Sequence, residues 1–132
     1  SMLIGLTACF TFFMTASLRA EDTKYSPVYE SCLKKAVATV DILNCIATEM
    51  TFQDKRLNKA YQSALKAFSS GRQEKLKDAK RLWIKYRDGN CEVFVNASGG
   101  TMDSLNTASC FLDMTAKRAK ELEDQAEQLE GL

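Results

Sequence analysis

The chain has 132 residues, of which 45% are hydrophobic and 27% charged, which suits one globular domain and excludes a largely disordered chain. The net charge is +1, and Arg19 carries the only charge among the first twenty residues, so the remainder is neutral overall. A neutral chain gives no basis for nucleic acid or a membrane surface as partner. The sequence contains no His, the commonest general base and zinc ligand, and we expect no cofactor and no metal.

The N-terminal segment from Met2 to Leu18 is apolar and uncharged. Its length falls short of the roughly 20 residues of a membrane span, and Ala20 then precedes an acidic pair. This pattern is typical of the apolar core of a secretion signal with cleavage near Ala20. We therefore predict a signal or its remnant over residues 1–20, and one domain without a membrane span over 21–132. The alternatives are a retained anchor, a helix of the fold, and a lipid anchor on Cys9 within a lipobox-like Leu-Thr-Ala-Cys run.

Four cysteines follow this segment: Cys32, Cys45, Cys91 and Cys110. An even number behind a secretion signal predicts a disulfide framework. Of the three possible pairings we favour Cys32–Cys45 and Cys91–Cys110, because each pair spans one predicted helix junction. A four-cysteine zinc site is the alternative, but the spacings of 13, 46 and 19 contain no C-x-x-C pair. A catalytic thiol would lack a His to activate it.

Hydrophobic periodicity predicts four helices and no strand. The first helix begins with Ser26 as N-cap and Pro27 in the first turn. The predicted ranges are about 27–38, 41–68, 72–96 and 102–130. The stripe of the second helix comprises Leu43, Ala47, Met50, Asp54, Leu57, Tyr61, Ala64 and Phe68. Since long helices joined by short turns pack as antiparallel neighbours, we predict an all-α bundle of about four helices stapled by two disulfides.

Two charged residues interrupt the apolar stripes: Asp54 in the second helix and Arg87 in the third. A lone buried charge costs several kcal/mol, so we expect these two to meet, or each to meet another charge. The expected internal polar network comprises Glu49, Asp54, Asn58, Tyr61, Trp83, Arg87 and Arg118. A ligand-binding cleft and an acid–base pair of Asp54 and Glu49 are the alternatives. The pair is disfavoured because two carboxylates five positions apart do not share a helix face.

The same residues carry a family resemblance. Between Cys45 and Arg118 the chain contains, in order, C-x3-E, D-x2-LN-x2-Y, W-x2-YR, C, GGT, C and R. This ordered set resembles the N-terminal domain of LprI-type lysozyme inhibitors, over about Tyr29 to Leu122. The resemblance implies a secreted or periplasmic, mostly helical, disulfide-bonded bacterial domain. At least some relatives look like inhibitors of lysozyme, and many have no assigned role. The family supplies no catalytic residue, and we predict that the protein is not an enzyme.

Two surfaces are candidates for partner binding. The first is the Gly-Gly loop, Asn96–Thr101, which lies between Cys91 and Cys110. Within it Ser98 and Thr101 offer hydroxyls, while Gly99 and Gly100 let a backbone approach closely. The alternative is a plain helix connection whose glycines serve turn geometry.

The second candidate surface is the acidic end of the fourth helix, with Glu121, Glu123, Asp124 and Glu127. Such a surface would steer a basic lysozyme into contact. Its alternative is charge pairing with the basic third helix. We therefore expect a protein-binding module, with lysozyme as the candidate partner, and a structural or accessory cell-envelope protein as the competing function. The oligomeric state stays open.

Overall fold

The computed structural model of the chain describes residues 25–131, and this part is built from four α-helices without a strand. The helices are α1 (Pro27–Lys35), α2 (Thr39–Ala67), α3 (Ser70–Glu92) and α4 (Met102–Glu130). Disulfides join Cys32 to Cys45 and Cys91 to Cys110, with Cα–Cα distances of 5.7 and 5.5 Å. The predicted all-α bundle and both pairings are confirmed. The predictions for residues 1–20, including the secretion signal and Cys9, lie outside the described residues.

The start of α1 follows the predicted cap, since the Ser26 hydroxyl accepts a hydrogen bond from the backbone N–H of Tyr29. Its end comes earlier than the predicted residue 38. The Asp41 carboxylate accepts the backbone N–H groups of Val37 and Ala38, at 3.1 and 2.9 Å. These bonds hold the α1–α2 connection outside a helix and cap the start of α2.

The turn between α2 and α3 is held by Gln73. Its side-chain amide donates to the carbonyl oxygens of Leu65, at 2.7 Å, and Phe68, at 3.1 Å. These two carbonyls belong to the end of α2, where the last C=O groups have no partner within the helix. The α2–α3 connection is therefore only two residues long, and α3 turns back along α2.

The third helix ends at Glu92, four residues before the predicted end at residue 96. Asn96 has a left-handed φ of 54°, which a continuing α-helix does not tolerate. Gly99, with a φ of 78°, lies in the same region, where glycine is the residue without a steric cost.

The most extensive helix contact joins α2 and α4, which are not neighbours in the chain. Arg56 of α2 pairs with Glu123 of α4, and further along both helices Ser63 and Glu130 line one groove. These contacts show that α2 and α4 run in the same direction, while α3 runs antiparallel to both. The antiparallel prediction therefore describes the consecutive helices, and the dominant interface is a parallel one.

Small side chains form the seam between α2 and α4. Ala60 and Ala64 of α2, and Ala116, Ala119 and Ala126 of α4, are all buried. Alanines at the contact let the two helix axes approach closely. The larger residues of this core are Leu57, Tyr61, Leu76 and Leu122, with Leu65, Phe68 and Trp83 packed partly buried against them.

The buried face of the first half of α2 differs from the predicted stripe. The predicted residue Ala47 is exposed, whereas Cys45, Ile46, Glu49 and Gln53 are buried. A stripe chosen by hydrophobicity passes over Glu49 and Gln53, because these polar side chains are buried through hydrogen bonds: Glu49 accepts from Ser26, the N-cap of α1, and from Gln53. Among the described helices, none has an apolar stretch long enough to span a bilayer.

Candidate functional site

A line of buried polar residues along α2 begins at Glu49, whose side chain is 2% exposed. Its carboxylate accepts the backbone N–H of Ser26 at 2.8 Å and the Ser26 hydroxyl at 2.5 Å. The Gln53 amide, itself 1% exposed, donates to the same carboxylate at 2.9 Å. Glu49 therefore fixes the start of α1 on α2, and its oxygens are already occupied by donors.

The same line continues from Gln53 to α4. The Gln53 carbonyl accepts a bond from Arg56 at 3.3 Å. Arg56 in turn donates through two nitrogens to the two carboxylate oxygens of Glu123, each at 2.7 Å. This bidentate pair ties α2 to α4 in the geometry that arginine and a carboxylate favour. Sequence reasoning missed Gln53 and Arg56, although the 49, 53, 56 spacing places them on one helix face.

The structure does not bring Asp54 and Arg87 together. Arg87 pairs with Asp88 at 3.0 Å and reaches the Thr115 hydroxyl at 3.4 Å. Its guanidinium also lies over the Trp83 ring, 5.1 Å from the centroid. The Asp54 side chain is half-buried and has no hydrogen bond or ion pair with another described residue. Water can solvate a half-buried carboxylate, so the expected partner is not required.

The remaining expected members of the polar network lie apart from Glu49. Asn58 is exposed, and Arg118 pairs with Glu121 on its own helix at 3.0 Å. Tyr61 is buried beneath the Lys80 ammonium, which lies 4.2 Å from the ring centroid.

A small cavity lies against Tyr61, Trp83 and Arg118. It has a volume of about 10 Å³, which is too small for any ligand larger than water. Within residues 25–131 no cluster of thiols or carboxylates is placed to hold a metal ion.

The Gly-Gly loop is held by Asp103, a buried residue in the first turn of α4. Its carboxylate accepts the Ser98 hydroxyl at 2.6 Å and the backbone N–H groups of Ser98 and Gly99 at 3.0 and 2.8 Å. The Ser98 hydroxyl also accepts the N–H of Gly100 at 3.2 Å. Hydrogen bonds from the Ser98 hydroxyl, and then from these backbone donors, hold the pKa of Asp103 below its ordinary value. Sequence reasoning missed Asp103, whose signal is an acidic residue in the first turn after a glycine pair.

The loop is clamped on both sides and exposed at its tip. The Cys91–Cys110 disulfide closes the chain around it, and residues 96 to 102 are all exposed. Three apolar side chains flank the tip in solvent: Val93, Val95 and Met102. The chain has no charged residue from Val93 to Met102. A hydrogen-bonded, uncharged loop with apolar flanks is thus presented at one end of the bundle.

The acidic end of α4 is largely neutralised within the fold. Glu121 pairs with Arg118, Glu123 with Arg56, and Asp124 with Lys120. The cations come from α4 and α2, not from the basic face of α3. Because α2 packs along α4 more extensively than α3 does, the expected pairing with the third helix does not form here. Glu127 is exposed and lines a groove between α2 and α4.

Comparison with known proteins identifies the family to which this sequence belongs. The sequence matches the family described as "Lysozyme inhibitor LprI" over residues 30–122, as the motifs predicted. It is also 33% identical, over 112 residues, to an uncharacterized protein of Rhizobium meliloti (strain 1021). That alignment covers 74% of this chain and 81% of the relative. No solved structure matches the chain. The chain therefore belongs to the LprI lysozyme inhibitor family.

Proposed function

We propose that this protein is secreted or periplasmic and inhibits lysozyme by binding it through the Gly-Gly loop. Membership in the LprI lysozyme inhibitor family supports this class of activity. The observation that carries the proposal is the set of hydrogen bonds that the Asp103 carboxylate accepts from Ser98 and Gly99. These bonds order an exposed loop before any partner binds. A loop that is already ordered loses little conformational entropy on binding, and more of the contact energy appears as affinity.

The chemistry of the loop suits an enzyme cleft. Glycoside hydrolases such as lysozyme act with a pair of carboxyl groups beside the scissile bond. The Thr101 hydroxyl is exposed at the tip and would donate to such a carboxylate. No loop carboxylate would oppose it, because Asp103 is buried behind the loop. An uncharged tip can therefore enter an acidic cleft without like-charge repulsion.

The apolar flanks would supply contact area around the tip. Val93, Val95 and Met102 are each more than half exposed, although residues of this kind are usually buried. Covering them would exclude water from the hydrogen bonds at the centre of the interface. We propose the flanks and the tip as one binding surface. The acidic end of α4 contributes less, since its cations already neutralise most of it.

The test is inhibition of cell-wall lysis by purified lysozymes of the c, g and i types, with oxidised protein. We expect inhibition of at least one type, and the substitution Val93→Asp should weaken it by about tenfold, since a charge would be buried at the interface. Val28→Asp on α1 is the matched control, because Val28 is 67% exposed and Val93 is 66% exposed. It should leave inhibition unchanged.

Undiminished lysis by all three types at high molar excess would exclude the inhibitor function. A structural or accessory role in the cell envelope would then remain. If inhibition survived both Val93→Asp and a bulky substitution at Thr101, the Gly-Gly loop and its flanks would be excluded as the binding surface, while the inhibitor function itself would be retained. The proposed location is tested separately, by sequencing the N-terminus of the protein recovered from its natural source, where cleavage near Ala20 is expected.

A further inference from the structure

A groove of about 650 Å³ runs between α2 and α4, near the C-terminal ends of both helices. Its floor is formed by Ala60 and Ala126, two small residues of the helix seam, with Phe52 beside them. Phe52 is half exposed, so an aromatic ring is open to solvent here. The Gly-Gly loop precedes the other end of α4, roughly 30 Å away at 1.5 Å per helical residue. The groove is therefore separate from the proposed lysozyme-binding surface.

The walls of the groove carry opposite charges. Lys55 and Lys59 line it from α2, and Glu127 and Glu130 line it from α4. None of these four side chains has an ion pair with another described residue, whereas Arg56 and Glu123, also lining the groove, pair with each other. A cationic wall and an anionic wall thus face an apolar floor across an open space.

The position of α1 limits what can occupy the groove. Tyr25 donates to Asp113 of α4 at 2.9 Å, and Ser26 bonds to Glu49 of α2. The start of α1 therefore bridges α2 and α4 on the N-terminal side of the groove and bounds the groove there. A groove bounded at one end suits a short ligand.

We propose that this groove binds short zwitterionic peptides. Their carboxylates would face Lys55 and Lys59, and their ammonium groups would face Glu127 and Glu130. The volume lies within the roughly 300–1,000 Å³ range of small-molecule sites. Aliphatic parts of the peptide would cover Phe52 and the two alanines. Cell-wall stem peptides and free short peptides share this chemistry, and the test distinguishes these two sources.

The probe is the tripeptide L-Ala-γ-D-Glu-meso-diaminopimelate, titrated into the 15N-labelled, oxidised protein and followed by amide chemical shifts. We expect saturable shifts confined to the groove segments of α2 and α4. Lys59→Glu and Glu130→Lys should each weaken binding by about tenfold. Lys85→Glu and Glu92→Lys, two exposed positions on α3, are the matched controls and should leave binding unchanged. The tripeptide with its amines acetylated, or with its carboxylates amidated, should bind more weakly than the free form.

The outcomes separate this proposal from its rivals. Absence of shifts at millimolar tripeptide, or shifts that persist in both groove variants, would overturn it. A concentration-dependent increase in mass that Lys59→Glu abolishes would indicate a second copy as occupant, and would also overturn it. Tripeptide binding with co-sedimentation on purified sacculi would identify cell-wall peptides, and tripeptide binding without it would identify free peptides. Lysozyme inhibition should be the same in the wild type and both groove variants, so the two proposals fail independently.

Discussion

The carboxylate of Asp103 holds Ser98 through both its backbone N–H, at 3.0 Å, and its hydroxyl, at 2.6 Å. Asp103 belongs to α4, so the conformation of the exposed loop is set by a residue that the helix itself positions. Gly99 adds a third donor to the same carboxylate at 2.8 Å. Order in the Gly-Gly loop therefore depends on one buried acidic side chain.

Replacing that side chain should loosen the loop while the bundle stays folded. In Asp103→Asn one carboxylate oxygen becomes an NH2 group, which cannot accept, so the three donors of Ser98 and Gly99 would have only one amide oxygen to share. We expect the Ser98 and Gly99 amides to exchange with solvent about tenfold faster, and lysozyme inhibition to weaken in parallel. Native-state hydrogen exchange by NMR measures the first effect. Asp78→Asn on the exposed face of α3 is the control. If this variant exchanged its Ser98 and Gly99 amides equally fast, the loop would not depend on Asp103.

The order of the Gly-Gly loop should depend on pH, and it should be lost in acid. Hydrogen bonds depress the pKa of Asp103 in the folded chain, so folding favours its ionised form. The stabilisation is present above the unfolded pKa of about 3.9 and is lost as the pH falls through the folded value. Protection of the Ser98 and Gly99 amides, after correction for intrinsic exchange, should be constant between about pH 5 and 8 and fall below about pH 4. A fall that begins near neutral pH would assign the effect to another group.

Two carboxylates five positions apart, Glu49 and Asp54, should respond differently to replacement by alanine. Glu49→Ala leaves the donors of Ser26 and Gln53 without their acceptor in a buried site, and should cost about 3 kcal/mol of unfolding free energy. Asp54→Ala removes a half-buried carboxylate without a bonded partner among the described residues, and should change stability by less than about 0.5 kcal/mol. Urea denaturation followed by circular dichroism gives both values. Equal effects would show that the polar line does not anchor α1.

The two disulfides should contribute similarly to stability and differently to binding. They close sequence separations of 13 and 19 residues, for which chain entropy gives about 3 kcal/mol each. Cys32→Ser with Cys45→Ser, and Cys91→Ser with Cys110→Ser, should each lower the free energy of unfolding by that amount. Below the unfolding transition, only the second double variant should also weaken lysozyme inhibition, because that bridge closes the chain around the loop. Equal inhibition by both double variants would show that the Cys91–Cys110 disulfide does not support the binding surface.

Periodicity, cap residues and cysteine spacing were sufficient to predict the four helices and both disulfides. These features are local. The cap at Ser26 and Pro27 concerns the start of one helix, and each disulfide spans one connection between consecutive helices. The buried face in the first half of α2 was misplaced, because Glu49 and Gln53 are polar and are buried through hydrogen bonds, among them those that Glu49 accepts from Ser26 at the start of α1. For the same reason, the pairing of Arg56 with Glu123 was out of reach. Sequence spacing on one helix does not reveal which distant residue supplies the second half of a bond.

The parallel arrangement of α2 and α4 has a consequence for the folding rate. Arg56 and Glu123, which mark this interface, lie 67 positions apart, and the whole of α3 must be accommodated before they meet. Proteins whose main contacts are distant along the chain fold more slowly than bundles of consecutive hairpins, since the entropy of closing the intervening loop is lost first. This small helical domain should accordingly fold slowly for its class, with the alanine seam forming late.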